Sequence, residues 1–326
     1  MKSIWKTFKS PLAEPINKYL EHKRALCKKY RSEEDNLRIF DAYLSEIALT
    51  HIAQLTPDLM DRYLATRPPL RPSTYNYHVG TLRRFFDWMV KHEIISTSPL
   101  QKGTPRIEEN LKPYILNHDL VKRLLDMAGQ LRDTSNAHRR GPTYQMVFAL
   151  AYGLGLRVGE ISRLQVGDID FQRAVIIINK SKFSKTRSVP MGPKLTLRLK
   201  EFLEQSGPHE STDPVFSARG DKRPLARVTI TVVFHQLILE MGLKAVVGER
   251  APRLHDLRHS FAVNTLLRWY REGKNPWELL PYLSTFLGHS KLSATAIYLT
   301  ITGDLLDEAN DRFRKFATPA LKEVAP

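Results

Sequence analysis

Apolar residues recur at helical spacing through nearly all of the first third of the chain. Leu12, Ile16, Tyr19 and Leu20 follow Pro11 at intervals of three and four, and Leu37, Phe40, Tyr43, Leu44 and Ile47 repeat the pattern. Thr56-Pro57 sets a capping hydroxyl ahead of a proline at the first helical position, which predicts a short helix through Leu64. Ser73 is expected to cap a longer helix carrying Tyr77, Leu82, Phe85, Phe86 and Met89. Residues 1–105 thus predict a helical domain.

The stretch 96–113 (STSPLQKGTPRIEENLKP) interrupts this periodicity with prolines, a glycine and mixed charge, and reads as a linker. Beyond it, residues 114–326 predict a second domain of a different kind. Asn117-His118-Asp119-Leu120 looks like a capped helix start, with further helices near 143–152 and 158–165. The pattern then changes to a β-branched run, Ala174 to Ile178, and an extended Ser188-Val189-Pro190, with SKFSKT between them. That combination predicts a β-hairpin. Helical periodicity resumes near 192–205, 227–241, 256–272, 276–286, 291–300 and 304–316, the last an amphipathic segment with Leu305, Leu306, Ala309, Phe313 and Phe316. The expected fold is mainly α with a small antiparallel β-sheet in the second domain.

Charge narrows the choice of partner. The 326 residues carry 50 Lys and Arg against 34 Asp and Glu, a formal net charge of +16. An excess of this size favours a polyanion, because each phosphate neutralised releases condensed counterions. Through residue 105 the chain holds 17 basic and 11 acidic residues, so both halves share the excess. One cysteine, Cys27, rules out an intramolecular disulfide framework and fits a reducing compartment. No apolar run approaches the roughly 18 residues of a membrane span, and Lys2, Lys6 and Lys9 precede no apolar signal core, so a cytoplasmic protein is expected.

The candidate chemistry lies in the second domain. Arg157, in GLGLRVGE, follows two helix-breaking glycines and precedes a new helix, a position where backbone N–H groups also favour an anion. Its planar fork can bind two non-bridging phosphate oxygens at once. Glu160, one turn on, suits orienting a neighbour better than reacting. In HDLRHSF, His255 and Arg258 share one helix face, with His259 bordering it as a structural residue; an imidazole beside a guanidinium suits phosphate binding and proton transfer. His289, in FLGHS, lies between two helices, and Ser290 and Ser293 could cap the second. Tyr298 follows nine residues later on a half-apolar helix. Each motif alone has an ordinary structural explanation; the ordered set does not.

That set resembles a tyrosine recombinase of the phage integrase family. The resemblance rests on GLGLRVGE, the KSKFSKTRSVP hairpin, HDLRH, LGH and the following tyrosine, and it extends to TYNYHVGTLRRFFDWMVKHEIISTSPL in the first domain, which is similar to the family's core-binding domain. It implies a two-domain, C-shaped clamp around duplex DNA. Tyr298 would be the nucleophile, forming a 3′-phosphotyrosine whose stored bond energy lets religation proceed without ATP. Arg157 and Arg258 would clamp the phosphate, Lys182 would protonate the leaving 5′-oxygen, His255 would act as a base toward the tyrosine, and His289 would bond the phosphate. Lys180 and Lys185 lie on the same hairpin, and strand parity does not separate Lys180 from Lys182.

The resemblance further implies a dimer on each specific DNA site, a tetramer in the synapse, a Holliday junction, and no metal, nucleotide or other cofactor. Consistently, no Gly-x4-Gly-Lys-Ser/Thr phosphate loop occurs. Nothing like an extra arm-binding domain precedes the first helices, which points to a mobile-element recombinase. The stretch RWYREGKNPWELLPY is longer than the family commonly shows and is expected to lengthen a helix or loop. The terminal 304–316 helix would dock on its own domain or on a neighbouring subunit. The alternatives are a type IB topoisomerase, which uses similar residues, and a catalytically silent DNA-binding protein of the same fold.

Overall fold

A computed structural model describes residues 7–67, 72–101, 103, 113–179, 186–217, 222–244, 251–300, 305 and 307. The chain separates into two compact units, Met1–Asn110 and Leu111–Pro326.

Every regular element among the described residues of the first unit is helical: α1 (Ala13–Ala25), α2 (Arg31–Glu46), α3 (Pro57–Ala65) and α4 (Pro72–Lys91), with a 3-10 turn at Ile52–Gln54. The apolar stripes meet in one core in which Leu12, Ile16, Tyr19, Leu37, Phe40, Phe85 and Phe86 are fully buried. Aromatic edges hold it together: Phe40 meets Tyr63 at 4.8 Å between ring centres, and Tyr19 meets Phe85 at 5.3 Å. Thr56 caps α3 as the sequence indicates, accepting from the Leu59 N–H at 3.2 Å. Ser73 does not cap α4, because Pro72 is already helical and Ser73 lies inside the first turn. Ahead of α1, the buried Asp41 carboxylate accepts from the Lys9 N–H, the Ser10 N–H and the Ser10 hydroxyl at 2.8, 3.0 and 2.6 Å, tying the entry segment to α2.

The second unit surrounds α6 (Arg140–Gly153), a helix apolar on nearly every side whose Val147, Phe148 and Leu150 are fully buried. Packed near it are α5 (His118–Gly129), which Asn117 caps at 2.9 Å from the Leu120 N–H, and α8 (Pro193–Glu204). Next come α9 (Arg227–Glu240), α10 (Asp256–Arg271), α11 (Pro276–Leu287) and the single turns α7 (Val158–Ile161) and α12 (Ser293–Ala296). A three-stranded antiparallel sheet, β1 (Ile169–Asp170), β2 (Val175–Ile178) and β3 (Arg187–Pro190), carries the expected hairpin in the register Ile176↔Val189. Its short third strand, β1, pairs Ile169 with Ile176 and has no signal in the sequence beyond one alternation.

Two expected helices change form, and a third cannot be followed beyond two of its residues. The segment 158–165 stops at Ile161, because Leu164 and Val166 bond instead to Val215 and Asp213. The segment 291–300 divides into α12 and a 3-10 turn, Ile297–Thr300, and no serine side chain caps it; Leu292 takes the N-cap position. The helix expected over 304–316 lies outside the described residues, apart from Leu305 and Asp307, which are helical. The stretch RWYREGKNPWELLPY forms the end of α10, a turn at Gly273 with φ 74°, and α11 capped by Asn275.

Asp41→Ala leaves three buried or half-buried donors without an acceptor, and is expected to lower unfolding stability by about 2–3 kcal/mol. Urea unfolding followed by a first-unit tryptophan signal checks this; Ser10→Ala, which removes one donor, should cost less.

Candidate active site

The last turn of α11 organises the site. Gly288 ends that helix in the left-handed conformation at φ 67°, and three consecutive carbonyls there accept from three different arginines. Arg187 Nε donates to the Phe286 oxygen at 2.9 Å, Arg258 Nη2 to the Leu287 oxygen at 2.6 Å, and Arg157 Nη2 to the Gly288 oxygen at 3.0 Å. Cations suit this negative end of the helix dipole, and the carbonyls have no partner within the helix. Gly288 is required twice over: its φ favours glycine, and a Cβ there would meet the Arg187 guanidinium at 2.9 Å.

Glu160 closes the network from below. Its carboxylate accepts from both Arg187 Nη groups at 2.9 Å each, from Arg157 Nη1 at 2.9 Å and from the Arg157 N–H at 3.0 Å. Burial alone would push its pKa up. The paired Arg187 fork, the Arg157 N–H and the two guanidinium charges overcome that and bring it down to about 2. Arg157 stands at the N-cap of α7, where the Gly153–Gly155 break sets it, and its side chain remains partly open.

Arg258 is 1% exposed. It also donates to the Gly155 oxygen at 2.6 Å, while its Nε has no partner among the described residues. Burial pulls its pKa down to about 9, so it stays charged at neutral pH. Gly155, at φ 58°, lets the backbone present that oxygen; a Cβ there would meet the Phe261 ring at 2.7 Å.

The histidines and the tyrosine assemble above this base. Tyr298 is 2% exposed, in the 3-10 turn after α12, and its hydroxyl lies 2.8 Å from His259 Nδ1. His255 stands edge-on to His259, 4.7 Å between ring centres, and His289 stacks near Tyr298 at 6.3 Å. His289 Nδ1 is engaged by the Thr295 hydroxyl at 2.7 Å. Desolvation, then neighbouring cations, holds His259 and His289 down to about 4; His255 keeps an open edge to solvent, yet its surroundings and its neighbours' charges also bring it to about 4. Burial raises Tyr298, and the charges of Arg258 and Arg157 act against that rise. Among the described residues no cluster of His, Cys, Asp or Glu could hold a metal ion.

The structure therefore brings together Arg157, Glu160, His255, Arg258, His259, His289 and Tyr298. Lys180, Lys182 and Lys185 lie outside the described residues. Two features escaped the sequence reading. Arg187 stands there only as one letter of the KSKFSKTRSVP hairpin, although its alternation with inward-facing Val189 is a signal: an arginine on the buried face of a strand needs a buried carboxylate. And His259, read as structural, is the residue whose ring reaches the tyrosine hydroxyl, because Tyr298 approaches α10 one turn beyond His255.

Known proteins are similar to this chain over most of its length. A Sinorhizobium fredii protein designated integrase/recombinase y4rB is 31% identical over 312 residues, covering 94% of this chain and 98% of its own. The tyrosine recombinase XerA of Pyrococcus horikoshii is 26% identical over 290 residues, covering 87% of this chain and 90% of its own. Among solved structures, the Tn1549 transposon integrase in complex with a circular intermediate DNA matches with a TM-score of 0.66 at 17% identity, covering 94% of this chain and all of that one. A lambda integrase dimer bound to a COC′ core site matches at 0.65 and 16% identity, over 90% of this chain and 78% of that one. Fold and relatives define a site-specific DNA recombinase of the tyrosine type, a DNA strand transferase. The chain belongs to the phage integrase family, whose model matches residues 115–303.

Two expectations follow from the electrostatics. Glu160→Ala strands two guanidiniums and should cost about 3–5 kcal/mol, whereas adding Arg187→Met should recover part of the loss, as a double-mutant cycle by thermal melting will show. Stability should also fall steadily as pH drops. His259 and His289 bind protons more weakly folded than unfolded, so acid favours the unfolded chain between about 6.5 and about 4. The depressed Glu160 contributes stability that is complete above about 4.5 and lost as pH falls toward about 2, a slope of the same sign. Urea titrations from pH 7.5 to 4 measure the first slope, which His289→Gln should flatten.

Proposed function

We propose that Tyr298 attacks the scissile phosphate of a duplex recombination site, forming a 3′-phosphotyrosine and freeing a 5′-hydroxyl that later reverses the reaction on a partner strand. The observation that carries this reading is the Tyr298 hydroxyl, buried beside an imidazole and within the field of Arg157 and Arg258. As Oη bonds to phosphorus, the bond to the 5′-oxygen breaks. One phosphodiester replaces another, so the step calls on no nucleotide and no metal.

Arg157 and Arg258 are the proposed clamp on the non-bridging oxygens. Each already donates to a backbone carbonyl, which holds its fork in one orientation before substrate arrives, and the charge that develops on the phosphate meets donors that need not reorganise. His289, whose Nδ1 is held by Thr295, keeps Nε2 for a phosphate oxygen. His255, at the open edge, assists proton transfer. Lys182 is proposed as the acid that protonates the 5′-oxygen, with Lys180 and Lys185 as the alternatives on the same segment. Glu160 and Arg187 position the clamp and stay off the substrate.

The helical domain, residues 1–105, and the catalytic domain, residues 114–326, both carry a basic excess, which supports contact of each with the same duplex. Two copies on each site and four in the synapse would exchange strands through a Holliday junction. Among the described residues no helix is long and apolar enough to cross a membrane, and the reading puts the enzyme in the cytoplasm, with the DNA.

A nicked suicide duplex traps the intermediate. Wild-type protein should form a covalent complex in the presence of EDTA, while Tyr298→Phe should form none and bind the same DNA within about threefold, since one hydroxyl adds little to a phosphate-dominated interface. Arg157→Ala should slow cleavage by roughly 10²–10³, the usual cost of one donor to a developing oxyanion. A two-site plasmid that is recombined, instead of merely relaxed, separates this enzyme from a topoisomerase; a covalent complex with Tyr298→Phe would overturn the reading.

A further inference from the structure

We propose that His259 is the group that receives the proton of Tyr298 as its hydroxyl attacks phosphorus, and that His255, one turn earlier, is not. The inference rests on Tyr298 being the nucleophile and adds the base that the reaction needs.

Geometry comes first. Among the described residues the Tyr298 hydroxyl bonds to His259 Nδ1, at 2.8 Å, and has no bond to His255. A phenol that attacks phosphorus must turn a lone pair toward the phosphate and its proton away from it. An imidazole nitrogen already at hydrogen-bonding distance gives that proton a destination without rearrangement. Both partners are held: His259 lies in the first turns of α10, which the buried Ser260 ties to the Leu116 N–H at 2.8 Å, and Tyr298 is packed in the core formed by α10, α11 and the turn that carries it.

The surroundings set when the base becomes competent. His255 and Arg258 on the same helix, Arg253 at its entry, His289 after α11 and Tyr298 itself are the titratable or charged groups that face His259. Burial and these cations keep the ring neutral at neutral pH, and in the tautomer that carries its proton on Nε2 the Nδ1 atom accepts from the hydroxyl. They also make it a weak base. A bound phosphate brings negative charge against the same cations and raises the proton affinity of the ring. Proton transfer therefore waits for substrate. In the balanced step the proton moves from Oη to Nδ1, the Oη–P bond forms, the P–O5′ bond breaks, and the lysine acid supplies a proton to the 5′-oxygen.

The test is the single-turnover rate of covalent-complex formation on a nicked suicide duplex, from pH 5 to 9, with the full-length protein. His259→Asn can bond the tyrosine hydroxyl but cannot store its proton. It should melt near the wild-type temperature, bind DNA with little change, and cleave roughly 10²–10³ slower at pH 7, in line with the loss of a positioned base. Its rate should keep rising with pH where the wild-type rate has levelled, because solvent hydroxide takes over. His255→Asn should slow cleavage yet keep the shape of the wild-type pH profile. A fluorinated, more acidic tyrosine at position 298 should restore part of the His259→Asn loss, a readout that a packing defect would not move. Cleavage by His259→Asn within threefold of wild type, or a slow variant with the wild-type pH profile and no rescue, overturns the proposal. So does loss of that profile shape in His255→Asn instead. Absence of any covalent complex from the wild-type protein would sink the prior reading of Tyr298, and is distinct from these outcomes.

Discussion

Three guanidiniums on three consecutive carbonyls at the end of α11 are the interaction on which the site depends. The arginines come from β3, from α10 and from the loop before α7, far apart along the chain. A helix C-terminus presents unpaired carbonyls and partial negative charge, so it can gather such cations and fix their directions. Glu160 completes the arrangement by neutralising two of them underneath, through a paired fork that holds its carboxylate ionised at full burial. Like charges that would otherwise repel are thereby held together.

The same arrangement concentrates positive charge around the tyrosine. Positive charge exceeds negative charge around Tyr298, the histidines are neutral, and the Arg258 Nε has no partner among the described residues. A phosphate bound there would bring compensating negative charge. Its arrival would favour protonated imidazole and relieve the repulsion between Arg157 and Arg258, so substrate binding and activation draw on one field. Two glycines permit the geometry: Gly155 offers its oxygen to Arg258, and Gly288 leaves room for Arg187.

Much of this was legible in order along the chain. The helical stripes of the first unit, the Thr56 and Asn117 caps and the hairpin followed from local rules, because each depends on neighbours a few residues away. Motifs in sequence order named the arginines, histidines and tyrosine as a set. What local pattern misjudged were short elements whose ends are decided by distant partners. The segment after Arg157 leaves its helix at Ile161 to bond with residues near 213–215, and the stretch around Tyr298 breaks into two tight turns instead of one helix.

By itself the sequence determined a basic, mostly helical protein with a small antiparallel sheet, and it named the residue types able to exchange one phosphodiester for another. Only the tertiary structure decided who touches whom. It set Arg187 on the inner face of β3 against Glu160 and put Tyr298 on His259, not His255. The reason is physical: spacing along a helix fixes which residues share a face, but the height at which another segment packs against that face depends on the whole core. One turn of α10 separates the two histidines, and the packing of residues 293–299 against α10 and α11 selects between them.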